Sequence, residues 1–208
     1  MRKPIITLDG PAGAGKSTVA KLVAKRLGLR FLDTGAMYRA VTWKAKQEGA
    51  VDMVGIAAMI DRTRITVDEK RVTVDGRDVS KDIRTPEIAR AVAPIAASPE
   101  CRAALVKLQQ EIGREGGLVT EGRDQGSVVF PDAEYKFYLD ASIDERARRR
   151  HKEIGGEADH IRREMAERDR SDMTRAAGPL IKPQGAIVID TTGMTIDEVV
   201  EAIASRVK

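Results

Sequence analysis

The sequence predicts an α/β protein of three layers, a five-stranded parallel sheet between helices, and three observations predict it. Apolar runs of strand length recur along the chain, most followed after a few residues by a helix-period pattern. The first of these strands runs through a glycine-rich turn straight into a helix, and strands joined by such crossovers lie parallel. One stretch in the first half breaks the alternation with a period of two, the mark of an inserted hairpin.

Taken in order, Ile5-Ile6-Thr7-Leu8-Asp9 forms the first strand, and a helical pattern from Lys16 to Leu27 stops at Gly28. A second strand at Leu29 to Leu32 leads through Asp33-Thr34-Gly35 into a helix carrying Met37, Tyr38, Val41 and Ala45, which ends at Gly49. Between about Asp61 and Ile83, Ile65-Thr66-Val67 and Arg71-Val72-Thr73-Val74 alternate around Asp68-Glu69-Lys70, with Asp75-Gly76 as the following turn. Two helices come next, roughly Thr85 to Ala97 and Pro99 to Glu115, the second started by its proline and stopped by Gly116-Gly117. Strands return at Leu118-Val119-Thr120, Tyr135-Lys136-Phe137-Tyr138-Leu139 and Ala186-Ile187-Val188-Ile189, completing five. The closing helix carries a capping box in Thr195-Ile196-Asp197-Glu198 and an apolar stripe of Val199, Val200, Ile203 and Val207.

Composition removes several classes of function. A chain of 208 residues, 42% hydrophobic, suffices for one well-buried core, so a single domain over 1–208 is expected. No apolar run approaches the roughly 20 residues of a membrane helix, and Met1-Arg2-Lys3-Pro4 leads into only five strand-like residues rather than a signal-peptide core. A cytoplasmic protein with no membrane partner is expected. The single cysteine, Cys101, has no internal disulfide partner, and no Cys/His spacing suits zinc. His151 and His160 are nine apart, off metal-ligand spacing, and Trp43 reads as packing. The 36 basic and 32 acidic residues are interspersed, net +4, and aromatics make up 3%, so no platform for stacking bases is visible. A monomer acting on small-molecule anions, with no nucleic-acid partner, is the expectation.

Gly10-Pro11-Ala12-Gly13-Ala14-Gly15-Lys16-Ser17 fits the GxxxxGK[ST] pattern of a phosphate-binding P-loop, directly after a strand and opening a helix. The glycines let successive N–H groups face a phosphate and the helix N-terminus adds positive potential. Lys16 reaches the β- and γ-phosphate oxygens of ATP, and Ser17 supplies a ligand for Mg²⁺.

A second, acceptor substrate needs its own constellation. Leu32-Asp33-Thr34-Gly35-Ala36-Met37-Tyr38-Arg39 places polar groups where a strand ends and a helix begins, with Arg39 able to grip a phosphate. Glu121-Gly122-Arg123-Asp124 ends the Leu118 strand at the sheet edge that carries the phosphate loop. Arginines concentrate from Glu145-Arg146-Ala147-Arg148-Arg149-Arg150 to Arg168-Asp169-Arg170-Ser171-Asp172-Met173-Thr174-Arg175, in the manner of a mobile lid. Arg146 and Arg150 share a helix face, as do Arg168 and Asp172, with Arg175 three beyond; Arg148, Arg162 and Arg163 read as a solvated face.

Residues 9–18, Asp33-Thr34-Gly35-Ala36-Met37-Tyr38-Arg39, Asp78-Val79-Ser80 with Ile83-Arg84, and Gly122-Arg123-Asp124 together resemble bacterial cytidylate kinases. Val128-Val129-Phe130-Pro131-Asp132-Ala133, Glu145-Arg146-Ala147, and Arg168-Asp169 with Pro179-Leu180 continue the resemblance in order, so it spans essentially the whole chain. It implies a P-loop kinase with a nucleoside-monophosphate-binding insertion at about 62–102 and a lid at about 153–178. The implied reaction uses ATP and Mg²⁺ to phosphorylate CMP, and dCMP, to the diphosphate in pyrimidine nucleotide metabolism. Gly10, Pro11, Ala12, Gly13, Ala14, Gly15, Lys16, Ser17, Thr18 and Arg146 would bind ATP, with Lys16, Arg123 and Arg150 acting on the transferred phosphoryl group. Thr34, Tyr38 and Arg39 would line the CMP site, with Arg39 and Arg123 on its phosphate and Arg102 and Asp124 at the cytosine. Arg168, Asp172 and Arg175 would address ribose and phosphate. Two departures bear on base selectivity: Ala93 stands where the family often carries serine, and Gln125 follows Gly-Arg-Asp where an aliphatic residue is usual.

Two alternatives stay open at this point. Another small-molecule kinase, for shikimate or a different nucleoside monophosphate, would share Gly10 to Thr18. A regulatory switch or nucleic-acid-dependent ATPase would share them too, although no Asn-Lys-x-Asp segment is present.

Overall fold

The computed structural model describes residues 3–68 and 71–207. Glu69 and Lys70 of the first hairpin connection lie outside the described residues, as do Met1 and Arg2. Contacts divide the chain into two compact units: the chain up to Arg30 with everything from Gly116 onward, and Phe31–Glu115.

The first unit is built on β1 (Ile5–Asp9), β6 (Leu118–Gly122), β7 (Tyr135–Asp140) and β8 (Ile187–Asp190). With β2 (Arg30–Asp33), at whose start the chain passes into the second unit, they form a five-stranded sheet of order β2-β6-β1-β7-β8. The β1–β6, β1–β7 and β7–β8 pairings are all parallel, as the βα alternation predicts. Every residue of β1 and β6 is buried, so neither of these central strands alternates between a buried and an exposed face. Ile6, Leu8, Leu118, Phe137 and Leu139 form the sheet's part of the core. Helix α1 (Lys16–Leu27) buries Val19, Ala20, Val23 and Ala24 and ends at the left-handed Gly28. Helix α8 (Ile196–Ala204) starts with the expected capping box, Thr195 and Glu198 bonding each other's backbone N–H, and buries Val199, Val200 and Ile203. Val207 falls beyond its end. Between β7 and β8 the chain forms α6 (Ile143–Ile154), a turn through Gly155 and Gly156, and α7 (Ala158–Thr174).

In the second unit, α2 (Thr34–Glu48) is capped by Asp33, whose Oδ1 accepts the Ala36 N–H at 2.7 Å. Helix α3 (Met53–Arg62) has no counterpart in the sequence reading, because Gly55 sits inside it and reads as a breaker. What holds it is an Asp52 cap, accepting from Val54 and Gly55, and a buried i, i+3, i+4 face of Ile56, Met59 and Ile60. Strands β3 (Ile65–Val67) and β4 (Val72–Val74) pair antiparallel as expected, and β5 (Arg77–Asp78) adds a third strand across the Asp75-Gly76 turn. Both turn residues have positive φ, 51° and 84°, the conformation a two-residue hairpin demands. Helices α4 (Pro86–Ala97) and α5 (Pro99–Gly113) start on Thr85 and Ser98 caps, each with proline in the first turn.

Candidate active site

The phosphate loop leaves β1 at Gly10, where φ is 147° and an added Cβ would overlap the Leu139 carbonyl oxygen. Gly15, at φ 83°, caps α1 with no side-chain bond and no acidic residue in the first turn, so the helix's first N–H groups face outward as a ready anion site. Lys16 is buried at 5% exposure and its Nζ donates to the Pro11 carbonyl at 2.7 Å. Burial, and next the positive charge of Arg123, pulls Lys16 down to about 7, against the opposing pull of Glu121 and Asp9.

Glu121 is the residue whose role the sequence reading missed. Its Oε1 accepts the Ser17 hydroxyl at 2.8 Å, across 104 residues of chain. The parallel register sets Leu8 beside Glu121 and Asp9 beside Gly122, so the carboxylate is carried to the mouth of the phosphate loop. An acidic residue ending an apolar strand was the available signal, but only strand order says which strand lies next to β1.

Arg123 and Asp124 follow at the same edge. Arg123 donates through Nε to Asp172 at 2.7 Å, and Asp172 also pairs with Arg175 at 3.5 Å, while Arg175 donates to the Gly178 carbonyl. An ion-pair chain thus joins Gly-Arg-Asp to the end of α7. Asp124 is 4% exposed, and its backbone carbonyl accepts from Val128 and Val129 to form one π turn, Gln125–Val129. Arg168 bears on Lys16 as a like charge.

The resemblance gives Arg146 as a nucleotide contact, and within the protein its guanidinium has three partners. It is 6% exposed, and its guanidinium donates to the Ala141 carbonyl at 3.0 Å, the Ala12 carbonyl at 3.0 Å and Asp169 at 2.7 Å. It thereby ties the backbone of the phosphate loop to α6 and α7. Arg150 sits on the exposed side of α6 and pairs with Glu153 at 2.8 Å. Arg148 and Arg162 make exposed pairs with Glu145 and Asp144, as a solvated face should.

In the second unit, Arg39 is held by Asp33, the same carboxylate that caps α2, at 3.4 Å, and its buried Nε has no hydrogen-bond partner among the described residues. An arginine oriented by one carboxylate with a donor to spare suits an anionic ligand. Thr34 opens α2, buried. The Arg102 guanidinium lies 5.7 Å from the Tyr38 ring centroid and donates to the Ala96 carbonyl at 3.2 Å. Trp43 is 8% exposed and packs under Arg77, so it is a packing residue. Cys101 is buried, with its thiol pushed up by burial.

A strand, glycine loop and helix that present lysine and serine beside a carboxylate, within a sheet of this order, define a P-loop nucleotide-binding protein. Comparison with known proteins narrows the class. The family model for cytidylate kinase matches residues 6–208. A cytidylate kinase of Lactococcus lactis subsp. cremoris is 45% identical over 100% of this chain and 99% of its own. A bifunctional pantoate ligase/cytidylate kinase of Trichormus variabilis is 46% identical over 97% of this chain, which spans only 41% of that longer protein. A crystal structure of an uncharacterized protein from Eubacterium ventriosum shares the fold, with TM-score 0.57 and 13% identity over 99% of this chain and 98% of that one. The chain belongs to the cytidylate kinase family, and is accordingly an ATP-dependent nucleoside monophosphate kinase.

Proposed function

We propose that the enzyme transfers the γ-phosphoryl group of ATP to a phosphate oxygen of CMP, and also of dCMP, in pyrimidine nucleotide metabolism. The bond from the γ-phosphorus to the β,γ-bridging oxygen breaks as the bond to the acceptor oxygen forms, releasing ADP and the nucleoside diphosphate. The observation that carries this reading is the single sheet edge at which Lys16, Ser17 with Glu121, and Arg123 with Asp124 all emerge from β1 and β6. An acceptor phosphate is already anionic near neutral pH, so no general base is needed and the work is alignment and charge neutralisation.

Gly10 to Thr18 would cradle the ATP phosphates, and Arg146 would keep the cradle's shape by holding the Ala12 carbonyl. Asp124 would accept from the cytosine amino group, and Arg123 would exchange Asp172 for substrate phosphate. Residues 153–178 would act as the lid. Arg168, Asp172 and Arg175 would engage ribose and phosphate on its closure, and Arg150 would leave an exposed pair worth little to reach the phosphoryl group. From the second unit, Thr34, Tyr38, Arg39 and Arg102 would contact the acceptor nucleotide.

Mg²⁺ fits the residues present: a hydroxyl and a carboxylate oxygen in contact are hard donors of the type it prefers. Ser17 would ligate it and Glu121 would balance its charge. No group of three metal-ligating side chains occurs among the described residues, which suits an ion held largely by phosphates and water. When bound, Mg²⁺ would supply neutralisation of the phosphate charge.

Among the described residues no helix is long and apolar enough to cross a membrane. We infer separately a cytoplasmic enzyme that is a monomer, its mass to be checked by light scattering. The central test is ADP release with Mg-ATP and, separately, CMP, dCMP, UMP, AMP, GMP or shikimate, with Asp124→Ala as control. The reading requires strong CMP and dCMP turnover that collapses in the variant; turnover with shikimate or AMP alone, or none with any acceptor, overturns it.

A further inference from the structure

Asp9 is the last residue of β1, wholly buried, and directly precedes the phosphate loop, yet its carboxylate bonds outside that loop. Both carboxylate oxygens instead accept successive backbone N–H groups from more than a hundred residues along the chain: Oδ1 from Gln125 at 2.7 Å and Oδ2 from Gly126 at 2.8 Å. These two amides open the π turn that follows Arg123-Asp124. The turn has a second anchor in Thr120 of β6, whose hydroxyl donates to Gln125 Oε1 at 2.9 Å. It is also packed from outside: a Cβ on Gly126 would lie 2.7 Å from the Thr7 hydroxyl oxygen and 3.1 Å from the Pro183 ring. Asp124 is thus flanked by two fixed points, the end of β6 on one side and the Asp9 clamp on the other.

We propose that Asp9 is a positioning residue for the acceptor, holding the Gln125–Gly126 backbone so that Arg123 and Asp124 are set in register with the phosphate cradle that begins at the next residue. The geometry separates this role from that of a general base or metal ligand, since both oxygens are engaged by amides and the side chain has no solvent-accessible surface. A carboxylate is required because it alone accepts at both oxygens. An asparagine of the same shape presents an NH₂ group to one of the two N–H donors and forces the turn away. The clamp also gives a reason for the polar Gln125, which reaches Thr120 and adds to the same anchorage. The inference rests on the reading of Arg123 and Asp124 as acceptor contacts.

The test compares wild type, Asp9→Asn, Thr120→Val and Asp124→Ala, all as the full chain. For each, one measures kcat, the KM for CMP, and the dissociation constant of a non-hydrolysable ATP analogue. With Asp9→Asn, loss of a charge-assisted hydrogen bond should raise the CMP KM roughly ten- to hundredfold, while ATP-analogue affinity stays within about threefold. Thr120→Val, a milder change that keeps the proposal testable should Asp9→Asn not fold, should raise it a few-fold in the same direction. A residue that merely supports folding would lower kcat through a reduced active fraction and leave the CMP KM unmoved; that result overturns the proposal. So does an equal loss of ATP-analogue affinity. If Asp124→Ala leaves the CMP KM unchanged, the acceptor reading itself has failed. If Asp124→Ala raises it and Asp9→Asn and Thr120→Val do not, only the clamp has failed.

Discussion

Replacing Arg146 by methionine separates a structural guanidinium from one that merely touches nucleotide. The side chain is buried, its partner Asp169 is 8% exposed, and Asp169 Oδ1 has no hydrogen-bond partner among the described residues. Removing the arginine strands a buried carboxylate and two carbonyls, Ala141 and Ala12, which held their donors at 3.0 Å. Breaking a buried pair from one side costs about 3–5 kcal/mol. With a denaturant slope of about 2–3 kcal/mol per molar, that lowers the urea midpoint by roughly 1–2.5 M. Removing the stranded charge as well, in Arg146→Met with Asp169→Leu, should recover at least about 2 kcal/mol, because an apolar pair of similar volume needs no compensation. Equilibrium urea unfolding monitored by circular dichroism, without nucleotide, measures all four corners of the cycle. ATP-analogue affinity should also fall in Arg146→Met, since the Ala12 carbonyl loses its tether. A destabilisation below about 1 kcal/mol, or single changes that simply add in the double variant, would refute the reasoning and leave Arg146 as a nucleotide contact alone.

Three further outcomes are expected. Burial, opposed by the Gly126 and Gln125 amides, raises Asp9 from 3.8 to about 6, so its contribution to stability is fully present below pH 3.8 and lost as pH rises through 6. Between pH 5 and 7.5 wild type should therefore lose about 1.4 kcal/mol that Asp9→Asn does not lose, read from paired urea titrations at the two pH values; parallel curves for the two proteins would contradict it. Glu121→Gln should raise the Mg²⁺ concentration for half-maximal activity about tenfold at fixed ATP, because the carboxylate's charge beside Ser17 is lost while the hydroxyl keeps an acceptor. An unchanged Mg²⁺ titration would remove Glu121 from the metal's surroundings. Arg150→Ala should cut kcat at least tenfold with the urea midpoint unmoved, whereas Arg148→Ala, more exposed and paired with Glu145, should change neither. Equal effects of the two would place Arg150 on the solvated face.

What the sequence determined by itself is what depends on neighbours in the chain. Gly10 to Ser17 after an apolar strand, the Gly28 stop, the Asp75-Gly76 turn and the Thr195–Glu198 capping box are local interactions, and each appears in the structure within a residue or two of its expected place. Helix α3 was hidden because Gly55 is a local breaker outvoted by tertiary burial of Ile56, Met59 and Ile60. The tertiary structure alone decided which polar residues work together. Ser17 meets Glu121, Asp9 meets Gln125 and Gly126, and Arg146 meets Ala12 across separations of 104, 116, 117 and 134 residues. Those meetings follow from strand order, which puts β6 and β7 on either side of β1. The helix and strand periods along the chain carry the faces to be buried, but the choice of neighbour is made by long-range packing.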